Sequence, residues 1–208
     1  MKTKNKFIIL IVSFFFWITH ANVMAVTILL YDNFDSENGG AGTANYNGFA
    51  NWNVIKGRVD LSGNGVWDWL PGNGLYVDLD GSTDDAGKLE SKTTFNLYPG
   101  SYELSFDLAG SQRGETNSVM ISLGSIYNET FTLVSDIPFT TITRNVSVPT
   151  LMNGTLNFEH IGVVDWSGLF LDNVRFSMMD SVPIPEPSSI LLLGFGIAGL
   201  AVCRNRFR

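Results

Sequence analysis

Three indole rings and one guanidinium are the side chains in this sequence whose types and spacing point most directly to chemistry. Trp67 and Trp69 flank Asp68 in the run VWDWLPGNG, and Trp166 lies in Asp165-Trp166-Ser167-Gly168. A flat apolar ring beside a few orienting polar groups suits a sugar, whose C–H face stacks while its hydroxyls hydrogen-bond. On an extended strand, Trp67 and Trp69 would face the same way and form a stacking platform. Each ring is also open to core packing, as is Trp52, and Trp166 in its turn is the one expected to be most exposed. Arg113, in Gly110-Ser111-Gln112-Arg113-Gly114-Glu115, carries a planar fork. It would either grip a hydroxyl or carboxylate of a ligand or pair with a nearby acid.

Support for covalent catalysis is thin. His160 is the only histidine outside the first 25 residues, the single cysteine is Cys203 near the end, and no G-x-S-x-G elbow presents a serine. A thiol nucleophile or a cysteine zinc site is thereby removed from residues 26–182. Glycoside hydrolysis needs two carboxylates at a defined separation, and with so many acids some pair meets that by chance, so the count decides nothing. Gly194, Gly196 and Gly199 fit G-x-G-x-x-G, but no strand precedes them and no acid follows, so they are not a dinucleotide site.

These side chains need a frame, and the pattern between residues 26 and 177 is that of strands. Tyr102, Leu104, Phe106 and Leu108 alternate with Glu103, Ser105 and Asp107 after Pro99-Gly100, and Val119, Ile121 and Leu123 repeat the period before Gly124. Further strands are predicted at 26–31, 52–61, 75–80, 88–97, 129–134, 139–148, 156–158 and 169–177. About ten short strands without an amphipathic helix give an all-β, antiparallel sandwich, most simply a jelly roll. In a jelly roll the first and last strands commonly lie side by side. That would draw Asp35 and Glu37 toward Asp172, a set of carboxylates suited to a structural Ca2+; the alternative is solvated loop acids. Asp78, Asp80, Asp84 and Asp85 lack EF-hand spacing and read as a surface loop.

The charge sharpens this picture. Of the 208 residues, 26–182 hold seven Lys/Arg against 19 Asp/Glu, a formal charge of −12. A body this acidic repels phosphate backbones, so nucleic acid is excluded as a partner.

Both ends carry delivery signals. Residues 1–6, MKTKNK, precede an apolar run over 7–19 and small residues at Val23 and Ala25, which predicts a Sec-type signal peptide over 1–25 cut after Ala25. At the other end Pro185-Glu186-Pro187 forms a stiff, accessible linker before an apolar helix over 190–202 and the cations Arg204, Arg206 and Arg208. This basic end is expected to stay cytoplasmic, with the acidic body outside the inner membrane. Together these features resemble the PEP-CTERM sorting signal of Gram-negative bacteria over 183–208. The resemblance implies a transient membrane anchor through the helix, cleavage near Pro-Glu-Pro by exosortase, and a body released or attached at the cell surface or extracellular matrix, often beside exopolysaccharide.

The stretch between the ends, 26–180, also has a resemblance. Asn33-Phe34-Asp35, Gly74-Leu75-Tyr76-Val77-Asp78-Leu79-Asp80-Gly81, Leu104-Ser105-Phe106-Asp107-Leu108-Ala109-Gly110 and Leu171-Asp172-Asn173-Val174 are similar to galactose-binding-like, carbohydrate-binding-module sandwiches. That implies a non-catalytic polysaccharide binder, with a structural calcium near the first and last strands. Two alternatives remain from other classes: a structural or adhesive matrix protein without specific sugar binding, and a secreted glycan hydrolase.

Overall fold

The computed structural model describes residues 23–182 and Gly194; the predicted signal peptide, the Pro-Glu-Pro motif and the apolar tail lie outside the described residues. The chain divides into two compact units, and the body is Met24–Asp180. Among the described residues no helix is long and apolar enough to cross a membrane.

Thirteen strands build the body: β1 (Val23–Asp32), β2 (Trp52–Lys56), β3 (Asp60–Gly63), β4 (Leu75–Asp78), β5 (Lys88–Ser91), β6 (Phe95–Leu97), β7 (Gly100–Ala109), β8 (Asn117–Leu123), β9 (Tyr127–Leu133), β10 (Thr140–Val148), β11 (Met152–Gly154), β12 (Leu156–His160) and β13 (Phe170–Val182). One sheet has the order β10-β7-β13-β4-β3 with β1 beside β13, a second has β2-β5-β12-β8-β9, and β11 with β6 forms a small third. Within this arrangement β4-β13-β7-β10 faces β5-β12-β8-β9, with successive strands crossing between sheets, which is the jelly-roll pattern.

Period-two alternation does the positioning. Tyr102, Leu104, Phe106 and Leu108 point inward from β7, and Val119, Ile121 and Leu123 from β8, all buried. Phe106 meets Phe158 of the facing sheet edge-on at 5.6 Å, and Phe158 meets Trp52 in the same way at 5.6 Å. Trp52 is fully buried and donates Nε1–H to Asp32 Oδ2 at 2.9 Å, so this ring belongs to the core.

Where predicted strands break, a local cause is visible. The run 52–61 splits because Gly57 turns at φ 53° with its Cα against the Ala86 carbonyl, where a Cβ would clash. The run 88–97 ends early at Ser91, whose hydroxyl donates to Thr93 O and accepts from Leu156 N. At three residues, β11 is too short for alternation to reveal. In β13 the register shifts between Asp172 and Arg175, with Asn173 at φ 49°. This bulge follows Leu171 and Asp172, both of which are buried.

Candidate functional site

Trp67, Trp69, Trp166 and Arg113 converge on one open pocket of 290 Å³ at the β3–β4 edge of the larger sheet. They come from three separate connections. Trp67 and Trp69 lie between β3 and β4, Arg113 between β7 and β8, and Trp166 between β12 and β13. The three rings are 46%, 43% and 57% exposed, against zero for Trp52. The alternation expected of Trp67 and Trp69 is not what aligns them, because neither lies in a strand. Their segment is an irregular turn, and Trp69 N donates to Trp67 O at 3.1 Å.

Two of the rings occupy strained backbone. Trp67 sits at φ 43° and Trp166 at φ 66°, the left-handed region that bulky side chains rarely enter, and Gln112 beside Arg113 adopts φ 58°. Such conformations cost on the order of 1–3 kcal/mol each and persist only where the surroundings impose them. Here the surroundings are visible. Tyr76 accepts from Leu70 N at 3.0 Å and donates to Asp68 Oδ1 at 3.3 Å, which fixes the Trp67–Trp69 turn to β4. Burial raises the Tyr76 phenol to about 12, so it remains a donor across the physiological range.

Trp166 is held by buried acids. Asp80, fully buried, accepts through Oδ2 from Asp165 N at 2.8 Å and Ser167 N at 3.3 Å. Asp78 Oδ1 accepts from Gly168 N at 2.9 Å and from Asp80 N at 3.1 Å. Asn117 Nδ2 donates to Ser167 O from the far side. The sequence-based reading of Asp78 and Asp80 as a solvated surface loop is therefore corrected: only Asp84 and Asp85 of that group are exposed. Backbone N–H groups from the Trp166 loop turn the two inner carboxylates inward.

Arg113 ties the two sides of the pocket together. Its Nη2 donates to Asp78 Oδ2 at 2.5 Å, Nη1 donates to Trp166 O, and Nε donates to Ser111 O at 3.2 Å. The guanidinium carbon lies 5.4 Å from the Trp69 ring centre and 5.5 Å from that of Phe170. With the Asp78 ion pair in place, most of its fork is committed to the protein. Desolvation pushes Asp78 up to about 7, with Arg113 pulling the other way and Asp60, directly opposite on β3, adding to the rise. Asp60 itself accepts from Asn45 N at 2.7 Å and from both N and Oγ of Ser82. Asp165 is the one lining carboxylate that stands exposed.

The residues expected to hold calcium are only partly brought together. Glu37 is buried and engaged elsewhere, accepting from Ala50 N at 2.7 Å and Tyr46 Oη at 3.1 Å. Asp35 accepts from Leu75 N at 2.9 Å and Asn33 Nδ2 at 2.8 Å. Asp172 is buried, and desolvation, with added repulsion from Asp35, Asp107 and Asp32, pushes its carboxyl up to about 8. Among the described residues no three His, Cys, Asp or Glu side chains converge as a ligand set. The donor chemistry at Asp35 and Asp172 suits a hard cation, whereas Glu37 does not point there. His160, the remaining catalytic candidate type, is buried with Nε2 against Val163 O at 2.9 Å.

Asp60 and Tyr76 are site residues that the sequence reading did not single out, whereas Asp78 and Asp80 were singled out but assigned to a surface loop. An aspartate inside a strand is disfavoured, and that signal was available at Asp60 and Asp78.

No curated protein sequence matches the chain. Among solved structures, the body is similar to the K3 cleaved adhesin domain of Lys-gingipain from Porphyromonas gingivalis, with 16% identity, 74% of this chain and 99% of that one covered, and a TM-score of 0.48. It is also similar to the CBM22-1 xylan-binding domain of Paenibacillus barcinonensis Xyn10C, with 12% identity, 77% and 99% covered, and a TM-score of 0.47. A third similarity is to the carbohydrate-binding module CBM6cm-2 of Cellvibrio mixtus lichenase 5A in complex with cellotriose, with 14% identity, 72% and 97% covered, and a TM-score of 0.39. Residues 183–206 match the PEP-CTERM protein-sorting motif, so the chain carries the tail of an exported, sorted protein.

Proposed function

We propose that the body is a non-catalytic polysaccharide-binding domain working outside the cell, with Trp67, Trp69 and Trp166 as stacking surfaces around Arg113. The observation that carries this reading is the convergence of three exposed indoles from two loops on one pocket with hydroxyls and carboxylates in its wall. Exposed aromatic rings are costly unless something covers them, and sugars are well matched to rings bordered by polar groups. A binding role is favoured over hydrolysis because Asp60 and Asp78 are each saturated by protein donors, which leaves Asp165 without a second free carboxylate. In this reading the Sec machinery exports the chain and exosortase processes it near Pro185-Glu186-Pro187 in a Gram-negative host. The ligand is then an exopolysaccharide met at the cell surface or in the matrix. The reading includes a structural Ca2+ beside Asp35 and Asp172, supported by the crowding of Asp32, Asp35 and Asp107 around Asp172, a repulsion that a bound cation would relieve.

Affinity electrophoresis of the full chain through gels containing the host's own polysaccharides tests the proposal. Retention is expected, and Trp166→Ala or Trp69→Ala should weaken it at least tenfold, about 1.4 kcal/mol per ring. Absence of retention on every polysaccharide, or retention indifferent to all three tryptophans, contradicts it.

A further inference from the structure

Sheet edges are open templates for strand addition, and proteins blunt them with charge, shortness or a cover. The edges of this sandwich do so, with one exception. On β2, Lys56 is paired with Glu159 at 2.8 Å. At the other end, β9 and β10 carry Glu129 and Arg144, joined at 2.7 Å. Strand β3 is four residues long and has bridges from Thr43 and Val66.

Strand β1 has no such device. Its residues 26–31, VTILLY, contain no charge, proline or glycine. Four of the six are large apolar side chains left exposed: Val26 at 43%, Ile28 at 55%, Leu29 at 36% and Tyr31 at 54%. They lie on both faces of the strand, and among the described residues its ladder runs to β13 alone. The nearest acid, Asp32, is buried and accepts from Phe34 N and Trp52 Nε1.

Charge identifies the occupant. A body of formal charge −12 repels its own copies on average, so a contact between copies is least opposed where charge is absent. The β1 edge is such a place, and a second copy presents the same uncharged strand. Antiparallel pairing about a two-fold axis lays residues 26–31 against themselves with no like charges opposed. We propose that β1 is a homotypic docking edge through which two copies join their larger sheets into one continuous sheet. The pairing is independent of the glycan pocket, which lies in loops at the β3–β4 edge.

The body contains no cysteine, so single introduced thiols report the contact cleanly once Cys203 is replaced by serine. Cysteines placed one at a time at residues 26–31 of the full chain are oxidised and the disulfide-linked dimer is measured. In a two-fold antiparallel pair one residue faces its own copy at about 5 Å between Cα atoms, whereas a same-face residue two positions away is displaced from its own copy by roughly 13 Å along the strand. Their thiols fall beyond disulfide reach. The expected result is one position cross-linking at least tenfold more than positions two residues away on the same face. Leu29→Lys, a change at an exposed site, should remove the dimer at that position by a similar factor while the melting temperature holds. Uniformly weak cross-linking over all six positions, cross-links only to other proteins, or a dimer that survives Leu29→Lys overturns the proposal.

Discussion

Asp80→Ala is expected to abolish polysaccharide retention and to lower the unfolding free energy by about 2–4 kcal/mol. The carboxylate is fully buried and accepts two backbone N–H groups from the Trp166 loop. Hydrogen bonds to a charged acceptor are worth about 1.5–3 kcal/mol each, and a buried donor left unmade costs about 1–3 kcal/mol. Losing the acceptor also removes two of the hydrogen bonds that hold Trp166 at φ 66°, leaving Arg113, Asn117 and Asp78 to hold the loop against that strain. The comparison that isolates this effect is Trp166→Ala. That ring is 57% exposed, so its removal should change stability by no more than about 0.5 kcal/mol while weakening binding. Chemical denaturation and gel retention on both variants check the pair. An Asp80→Ala protein with unchanged midpoint and retention would show that the loop is positioned by something else.

The second large effect concerns pH. Folding raises Asp172 from 3.8 to about 8 and Asp78 from 3.8 to about 7. A carboxyl whose folded value lies above its unfolded value binds its proton more tightly in the native state. Its stabilising contribution is therefore present at low pH and is lost as pH rises toward the folded value. For Asp172 that window runs from about 4 to about 8, and for Asp78 from about 4 to about 7. Within it each group subtracts up to about 1.4 kcal/mol per pH unit. The lowered carboxyls of Glu129 and Glu159 act in the opposite sense, through ion pairs near the surface where solvent screening keeps the effect small. In chelator, the melting temperature is thus expected to climb as pH falls from 8 to 5, and Asp172→Asn should remove a large part of that slope.

A bound cation reverses the argument at Asp172. It would favour the ionised carboxylate, so added Ca2+ should raise the melting temperature most at pH 8 and flatten the profile. Scanning calorimetry from pH 5 to 8, with calcium and with chelator, measures both effects. A melting temperature that rises with pH in chelator contradicts the burial argument. A profile indifferent to calcium removes the metal from the proposal and leaves Asp172 as a protonated core acid.

The frame was legible in the sequence because its signal is local. Alternation in 102–108 and 119–123 needs only the period of a pleated strand, and β7 and β8 bury the residues that the period names. Boundaries failed where a tertiary contact set them. At Gly57 the cause is a backbone carbonyl 29 residues downstream, and at Ser91 it is a hydroxyl shared with β12. The candidate site was legible in residue type but not in mechanism. Trp67, Trp69 and Trp166 stand out as indoles among Asp, Asn and Gly, yet strand alternation was the wrong reason to group them. The carboxylates that hold the site together looked like loop acids because their partners, the N–H groups of residues 165, 167 and 168, lie some 85 to 90 positions away. Separation of that kind leaves no trace in a periodic pattern.

Tryptophan fluorescence gives the most direct test of the glycan-binding claim. Of the five tryptophans, three line the pocket, Trp52 is sealed in the core, and Trp17 belongs to the predicted leader. Quenching by iodide during titration of the full chain with a polysaccharide that retains it therefore reports mainly on the proposed site. The account predicts a blue-shifted emission and loss of most of the quenchable signal as ligand saturates, with Trp52 emission unaffected. Retention of the polysaccharide with the three rings still fully quenchable would mean that the sugar binds elsewhere, and the pocket would lose its role.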